Sequence, residues 1–140
     1  MPMGLSNNEP CRGRVLVVDD DAGIRRMVRL TLLSGGYEAI EAEDGAKAIE
    51  LVSSGDNPLR LDIIICDISM PKVHGSKVIA FFRERFPSIP IIVLTGYPDT
   101  ESAVNFIKQG VIEYAIKPIQ ADKLLLIVAK AMEHRNALKP

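Results

Sequence analysis

Three consecutive aspartates, Asp19 to Asp21, follow the apolar run RVLVV and precede a segment with helical periodicity. Neighbouring carboxylates repel one another, so a folded chain keeps such a cluster where something offsets the repulsion. The aspartates could cap the following helix, bind a cation, or do both. The polar residues at the ends of the other apolar runs help to distinguish these alternatives.

Three further apolar runs also end in residues that could do chemistry. Asp67 ends LDIIIC, Thr95 ends PIIVL, and Lys117 ends IEYAI. Each has an ordinary structural explanation, as a turn residue, a β-branched strand former and a solvated cation respectively. The carboxyl ends of parallel strands share one edge of a sheet, where ligands bind. Convergence of all these residues on that edge favours a common site.

The segments between these residues alternate between strand and helix patterns. Strands are predicted at 14–20, where the apolar run is continuous, at 37–42, where the strand is short, and at 61–67, 90–95 and 112–117. Helical periodicity predicts helices at 22–34, 45–54, 76–86 and 99–109 and from Ala121 onward. Such alternation predicts one α/β domain, a doubly wound parallel sheet of five strands with helices on both faces.

The apolar spacing also assigns the faces of two helices. In the first helix, Arg25, Arg26 and Arg29 are placed on the polar face. The core-facing residues are predicted to be Ile24, Met27, Val28 and Leu32 in the first helix, and Leu124, Ile127, Val128 and Ala131 in the last.

The composition fits a single globular domain. The chain has 140 residues, 47% of them hydrophobic, and a formal net charge of −1, which argues against non-specific binding to nucleic acids or membranes. No apolar run approaches the ~20 residues needed to span a bilayer, and the N-terminus lacks a secretory signal. Cys66 is predicted to be buried and Cys11 to be an exposed thiol, which suits the cytoplasm. We expect a flexible tail at 1–13, the domain at 14–136, and a tail or the start of a linker at 137–140.

Carboxylates, a lysine and a hydroxyl at one edge predict a site that handles phosphoryl groups. The carboxylates suit Mg²⁺, the lysine can neutralise an arriving anion, and the threonine can donate to its oxygens. The chain has no phosphate-binding glycine loop and no DxD sequence at Asp67. It offers a carboxylate nucleophile without an evident base for a second substrate. This pattern suits a protein whose own aspartate is the substrate.

Over residues 13 to about 135 the sequence resembles the receiver domain of response regulators, of the chemotaxis-regulator type. These domains accept phosphate from histidine kinases. The matching positions are the acidic pair Asp19–Asp20, Asp67 in CDISMP, Thr95 in VLTG, the pair Lys117–Pro118, and the aromatic Tyr114.

The resemblance implies a flavodoxin-like strand order of 2-1-3-4-5 and a role for each matching residue. Asp67 would become an aspartyl phosphate, with Lys117 pairing with the phosphoryl group across a cis Lys117–Pro118 bond. Mg²⁺, with Mn²⁺ as an alternative, would be held by Asp20 and Asp67, by Asp19 through water, and by the backbone carbonyl of Ser69. Thr95 and Tyr114 would switch the surface formed by helix four, strand five and helix five. In the family the residue two beyond the threonine influences the lifetime of the phosphate, and our hypothesis is that bulky Tyr97 at this position shields the acyl phosphate from water and slows its loss.

The implied partners are a sensor histidine kinase or a histidine phosphotransfer protein, and a downstream effector or an output domain beyond this chain. No direct nucleic-acid or membrane partner is expected, and a phosphorylation-dependent homodimer is a further option. The domain would catalyse only its own phosphorylation and dephosphorylation. The alternatives are a metal-dependent phosphatase or phosphotransferase acting on small molecules, a phosphorelay intermediate, and a degenerate receiver that only binds proteins.

Overall fold

Five strands alternate with five helices, as predicted, in a computed structural model that describes residues 11–53, 60–68 and 75–138. The strands are β1 (Arg14–Val18), β2 (Glu38–Ala42), β3 (Ile63–Cys66), β4 (Ile91–Thr95) and β5 (Glu113–Ile116). The helices are α1 (Ala22–Ser34), α2 (Gly45–Ser53), α3 (Gly75–Arg85), α4 (Thr100–Lys108) and α5 (Ala121–Leu138).

The strands form one parallel sheet in the order β2-β1-β3-β4-β5, which confirms the predicted flavodoxin-like topology. The register places Val18 of β1 beside Cys66 of β3. The backbone N–H of Asp67 donates to the carbonyl of Val18 at 2.9 Å. The residues that follow β1 and β3 therefore emerge side by side at the carboxyl edge of the sheet.

Helices cover both faces of the sheet. Residues of α2, α3 and α4 share one hydrophobic core with the strands, and residues of α1 and α5 share a second core on the opposite face. All four residues of β3 are buried, because a central strand covered on both faces needs apolar side chains on both sides. This explains why the sequence of β3 is continuously apolar instead of alternating.

Asp21 caps the start of helix α1, which is one of the roles predicted for the run of aspartates. Its Oδ1 accepts a hydrogen bond from the backbone N–H of Ile24 at 3.1 Å, which satisfies a donor that the helix itself leaves unpaired. At the other end, Gly36 has a φ of 91°, a conformation that glycine adopts without the steric cost of a Cβ. The third aspartate of the run therefore has a structural role.

The structure buries all the predicted core residues of α5, together with Val28 and Leu32 of α1. Cys66 is also buried, and Cys11 is exposed. Two residues of α1 differ from the prediction. Met27 is 37% exposed, because it lies at the margin of the apolar face beside an open cavity. Arg25, assigned to the polar face, has a side chain that is only 16% exposed, because it folds back towards the sheet.

The described part of the predicted tail contacts the domain. The N–H of Arg12 donates to the carbonyl of Gly36, and the carbonyl of Gly13 accepts from the N–H of Glu38, both at 2.9 Å. Residues 1–10 lie outside the described part, and the domain bounds 14–136 stay a prediction. None of the described helices combines the length and the apolar character needed to cross a membrane.

Candidate functional site

Three of the predicted carboxylates come together at the carboxyl edge of the sheet. Asp19, Asp20 and Asp67 each offer an oxygen within 4.8 Å of the others. Asp19 and Asp67 are buried, whereas Asp20 is exposed. Carboxylate oxygens that face solvent on one side suit Mg²⁺ or Mn²⁺, which take hard oxygen ligands, and Mg²⁺ also keeps several waters. The donor set therefore fits the predicted metal.

Lys117 contacts two of these carboxylates. Its Nζ donates to Oδ2 of Asp19 at 2.6 Å and lies 3.5 Å from Oδ2 of Asp67. The backbone N–H of Lys117 donates to the carbonyl of Thr95 at 2.8 Å, which ties the end of β5 to the end of β4. The Lys117–Pro118 bond is cis, as the resemblance implied. The lysine thus supplies the positive charge that offsets part of the repulsion among the aspartates.

For each partner of this ion pair, burial and ion pairing shift the pKa in opposite directions. Burial raises the pKa of Asp19, and the hydrogen bonds from Lys117 and from the N–H of Asp21 only partly offset it. Burial lowers the pKa of Lys117, but its hydrogen bond to Asp19 and its attraction to both carboxylates outweigh burial and raise that pKa. Lys117 therefore keeps its charge throughout the neutral pH range.

A cavity of about 740 Å³ opens beside the carboxylates. Its polar side is formed by Asp19, Asp20, Asp21, Asp67 and Lys117. The rest of the lining is mainly apolar or aromatic and consists of Ile24, Met27, Leu94, Tyr97, Pro118 and Ile119. The cavity lining thus combines four carboxylates and one ammonium with apolar side chains.

A family model of the response regulator receiver domain matches residues 15–129. The chain belongs to that family. Receiver domains are signalling domains, and this assignment agrees with the parallel sheet, the strand order and the acidic cluster described above.

Similar proteins support the same assignment. The regulatory protein AtoC of Escherichia coli is 32% identical over 126 residues, which are 90% of this chain and 26% of that protein. The DNA-binding transcriptional regulator NtrC of the same species is 33% identical over 123 residues, 88% of this chain and 25% of that protein. The crystal structure of a receiver domain protein from Clostridium thermocellum has a TM-score of 0.82 at 27% identity, covering 91% of this chain and 99% of that chain. The chain spans about a quarter of the length of these curated relatives.

The two predicted switch residues of this receiver domain do not line the cavity. Thr95 is fully buried at the end of β4, and its Oγ1 accepts from the N–H of Tyr97 at 3.2 Å. Tyr114 is half-buried, stacks on Phe106, and accepts at its hydroxyl oxygen from the N–H of Asp99 at 3.3 Å. Side chains along a strand alternate between the two hydrophobic cores. This alternation places Thr95 and Tyr114 on the same face of the sheet, the face that α2, α3 and α4 cover.

One predicted residue of the site is not described by the structure, and one residue at the site was not predicted from the sequence. Ser69 lies outside the described residues, so its carbonyl ligand stays a prediction. Gly75, not predicted as part of the site, begins α3 directly against the backbone of Asp67 and Ile68. Its N–H donates to the carbonyl of Ile68 at 3.3 Å. A glycine shortly after an acidic strand end is the only sequence signal, and it does not distinguish close packing from an ordinary turn.

The sequence prediction also missed the contacts of Arg25. The guanidinium donates from Nη1 to the carbonyl of Asp19 at 2.7 Å and from Nε to Oε1 of Glu41 at 3.1 Å. Its position one turn after Asp21 gave no signal of this, because helical periodicity places it among the solvated arginines.

Proposed function

We propose that this receiver domain accepts a phosphoryl group on Asp67 from a phosphohistidine of a sensor histidine kinase or of a histidine phosphotransfer protein. The observation that carries the proposal is the position of Asp67. It lies within 4.8 Å of the carboxylates of Asp19 and Asp20, and 3.5 Å from the ammonium of Lys117. Positioning and charge neutralisation are what phosphoryl transfer requires of a protein.

The transfer step uses the Asp67 carboxylate as its nucleophile, and water is the nucleophile of the later hydrolysis. A carboxylate oxygen of Asp67 attacks phosphorus, and the P–O bond forms while the P–N bond of the donor breaks. The bonding electron pair stays on the imidazole nitrogen of the donor histidine. Attack of water on the resulting acyl phosphate releases inorganic phosphate and returns the carboxylate. Lys117 stabilises the added negative charge throughout.

Asp19, Asp20 and Asp67 would hold Mg²⁺, with Mn²⁺ as the alternative. When bound, the ion would neutralise charge on the phosphoryl oxygens and orient the group for transfer. The aspartates themselves contribute a floor of oxygen ligands, two of them buried and one open to solvent. This division leaves one side of the site accessible to an incoming phosphohistidine.

Phosphorylation would add about −1.5 to −2 charge beside the aspartates. We propose that the Thr95 hydroxyl then leaves the N–H of Tyr97 and donates to the phosphoryl group, and that Tyr114 turns into the vacated space. Turning Tyr114 would break its contact with the N–H of Asp99, at the residue that caps α4. The movement would therefore reach the surface formed by α4, β5 and α5.

The partner of that surface is proposed to be an output domain or a separate effector protein. The surface exposes apolar side chains, Val104 and Ile107 on α4 and Ile116 on β5. The relatives AtoC and NtrC are about four times as long as the matched region, which leaves room in them for further domains. A phosphorylation-dependent homodimer would use the same surface.

The test is the intact mass of the protein after incubation with Mg²⁺ and acetyl phosphate. We expect one phosphoryl group on the wild type and none on Asp67→Asn. Asp62→Asn is a matched control, because Asp62 is also buried and flanks the opposite end of β3. It should be phosphorylated like the wild type. Absence of the adduct from the wild type, or its presence on Asp67→Asn, would contradict the proposal.

A further inference from the structure

We propose that Arg25 is a positioning residue that fixes the peptide between Asp19 and Asp20 and thereby sets the distance between the metal-binding carboxylates. The proposal rests on the proposed function, since it assumes that these carboxylates hold a divalent cation. Among the hydrogen bonds and ion pairs of the described residues, Arg25 contacts none of the three carboxylate groups directly. Its role in the site is therefore indirect and acts through the backbone.

The guanidinium joins three elements. Arg25 is on α1, its Nη1 donates to the Asp19 carbonyl at the end of β1 at 2.7 Å, and its Nε donates to Glu41 of β2 at 3.1 Å. Its side chain is largely buried in this position. The two donors bind different acceptors, so the carboxylate of Glu41 fixes the planar guanidinium, and the guanidinium in turn holds the Asp19 carbonyl. The contact is therefore more than a surface ion pair, which would add little.

The carbonyl that Arg25 binds belongs to the peptide that carries Asp20. All other polar groups of Asp19 are held as well. Its N–H donates to the carbonyl of Ala42 at 3.2 Å, its Oδ1 accepts from the N–H of Asp21 at 2.9 Å, and its Oδ2 accepts from Lys117 at 2.6 Å. Arg25 supplies the remaining anchor, on the side of the residue that leads to Asp20.

Asp20 depends most on this anchor. Its carboxylate is exposed, and within the part of the chain that the structure describes no side chain donates a hydrogen bond or ion pair to it. Its place beside Asp67 is therefore set by the backbone. Rotation of the Asp19–Asp20 peptide would move the Asp20 carboxylate away from Asp67, and the three oxygens would no longer meet within 4.8 Å.

Charge supports the same assignment. Three carboxylates in one cluster repel one another before a metal binds, and among the ion pairs of the described residues Lys117 pairs with Asp19 and Asp67 but not with Asp20. The guanidinium of Arg25 places a second positive charge against the Asp19 carbonyl and shares it with the carboxylate of Glu41. Loss of this charge and of the carbonyl contact would allow the loop to relax and separate the aspartates.

The neighbouring Arg29 provides a matched control. It lies one turn further along α1, is more exposed, and pairs with Glu41 at 3.9 Å. It makes no contact with the Asp19 carbonyl among the hydrogen bonds of the described residues. If charge near β2 were sufficient, replacing either arginine would have the same effect.

The experiment measures the dissociation constant for Mg²⁺ alone, by calorimetric titration of the full chain. It compares the wild type with Arg25→Ala, Arg25→Lys and Arg29→Ala. Loss of a group that orients a metal ligand typically weakens metal binding by about 10-fold or more. We expect that loss in Arg25→Ala and in Arg25→Lys, because one ammonium cannot hold both acceptors, and wild-type affinity in Arg29→Ala. If Arg25→Ala does not fold, Arg25→Lys is judged by the same criterion.

A second measurement needs no metal. The ¹³C shift of the Asp19 carbonyl and the ¹⁵N shift of the Asp20 amide report the hydrogen bond on this peptide in the metal-free protein. They should change in the Arg25 variants and not in Arg29→Ala. Mg²⁺ affinity of folded Arg25 variants equal to that of the wild type would overturn the inference and leave the proposed function intact. Absence of Mg²⁺ binding to the wild type would instead overturn the proposed function.

Discussion

The ammonium of Lys117 binds Asp19 more closely than it binds Asp67, at 2.6 Å against 3.5 Å. The residue proposed to accept phosphate is thus the weaker partner of the lysine in this structure. A phosphoryl group on Asp67 would bring about −1.5 to −2 charge to that side and compete with Asp19 for the ammonium. The lysine therefore holds the carboxylates together before transfer and is already close to the group that needs it afterwards.

Replacing Lys117 by methionine is expected to separate its two roles. Without the ammonium, Asp19 and Asp67 become buried carboxylates with no cation between them, and breaking such a pair typically costs about 3–5 kcal/mol. We expect a lower free energy of unfolding in a metal chelator, a smaller loss in Mg²⁺, and much slower phosphorylation. Urea denaturation in both buffers and the rate of adduct formation measure these effects.

The control for this variant is Lys123→Met, which replaces an exposed lysine near the start of α5. It should keep the stability and phosphorylation rate of the wild type. Equal stability of Lys117→Met and the wild type in chelator would contradict the structural role of the lysine.

Gly75→Ala is expected to disturb the site through the backbone of Asp67. A Cβ at Gly75 would overlap Cα of Ile68 and lie 2.6 Å from the carbonyl oxygen of Asp67. Backbone cannot move aside as a flexible side chain can, so the loss of stability should be that of an overpacked core, about 1–3 kcal/mol. Phosphorylation should also be slower, because Asp67 would be displaced from the other carboxylates.

Gly96→Ala is the matched control for this substitution. The nearest atom to a Cβ at Gly96 is Cδ of Lys117 at 3.9 Å, which is ordinary contact. Its stability should stay within about 0.5 kcal/mol of the wild type. Comparable losses in the two variants, measured by urea denaturation, would show that close packing at Gly75 is not the cause.

The strands and the acidic cluster could be predicted from the sequence because both follow from local patterns. Apolar runs identify the buried parallel strands, and four of the five predicted strands, all except the second, end at a polar residue whose position the strand end fixes. Parallel pairing then brings the residue after β1 beside the residue after β3. The order that places β1 beside β3 was implied by the resemblance to receiver domains, and with that order Asp19 and Asp67 fall side by side.

Other features depend on contacts between distant segments. The helical period identifies Arg25 as polar but cannot show that its long side chain folds back to Asp19 and Glu41. The same period places Met27 on the apolar face, whereas the cavity beside it leaves the side chain 37% exposed. The partner of Thr95 in this conformation, the N–H of Tyr97, depends on the path of the loop after β4. These features require the three-dimensional packing of the elements.

The cap of α4 should make its stability sensitive to acid. Oδ2 of Asp99 accepts from the hydroxyl of Ser102 at 2.7 Å and from its N–H at 3.1 Å, and these hydrogen bonds lower the pKa of Asp99. The carboxylate therefore stabilises the folded protein above its unfolded pKa of about 4, and this contribution is lost as pH falls through the lowered folded value.

Asp99→Asn keeps an oxygen that can accept from Ser102 but does not titrate. We expect the stability difference between the wild type and Asp99→Asn to be constant at neutral pH and to fall below about pH 4. Urea denaturation of both proteins from pH 3 to 7 measures the difference. Identical pH dependence in the two proteins would show that the Asp99 cap does not respond to protonation.

Tyr97 is expected to lengthen the lifetime of the aspartyl phosphate. Its side chain is 80% exposed and lines the cavity that contains Asp67 and Lys117. An exposed ring can move across the cavity without losing core contacts, and there it would keep water from the acyl phosphate. Tyr97→Ala should therefore lose phosphate faster than the wild type, whereas Tyr97→Phe, which keeps the ring, should match it.

The measurement is the first-order decay of the phosphorylated mass in excess Mg²⁺ after removal of acetyl phosphate. Decay of Tyr97→Ala at the wild-type rate would exclude shielding, and fast decay of both variants would attribute the protection to the hydroxyl instead of the ring.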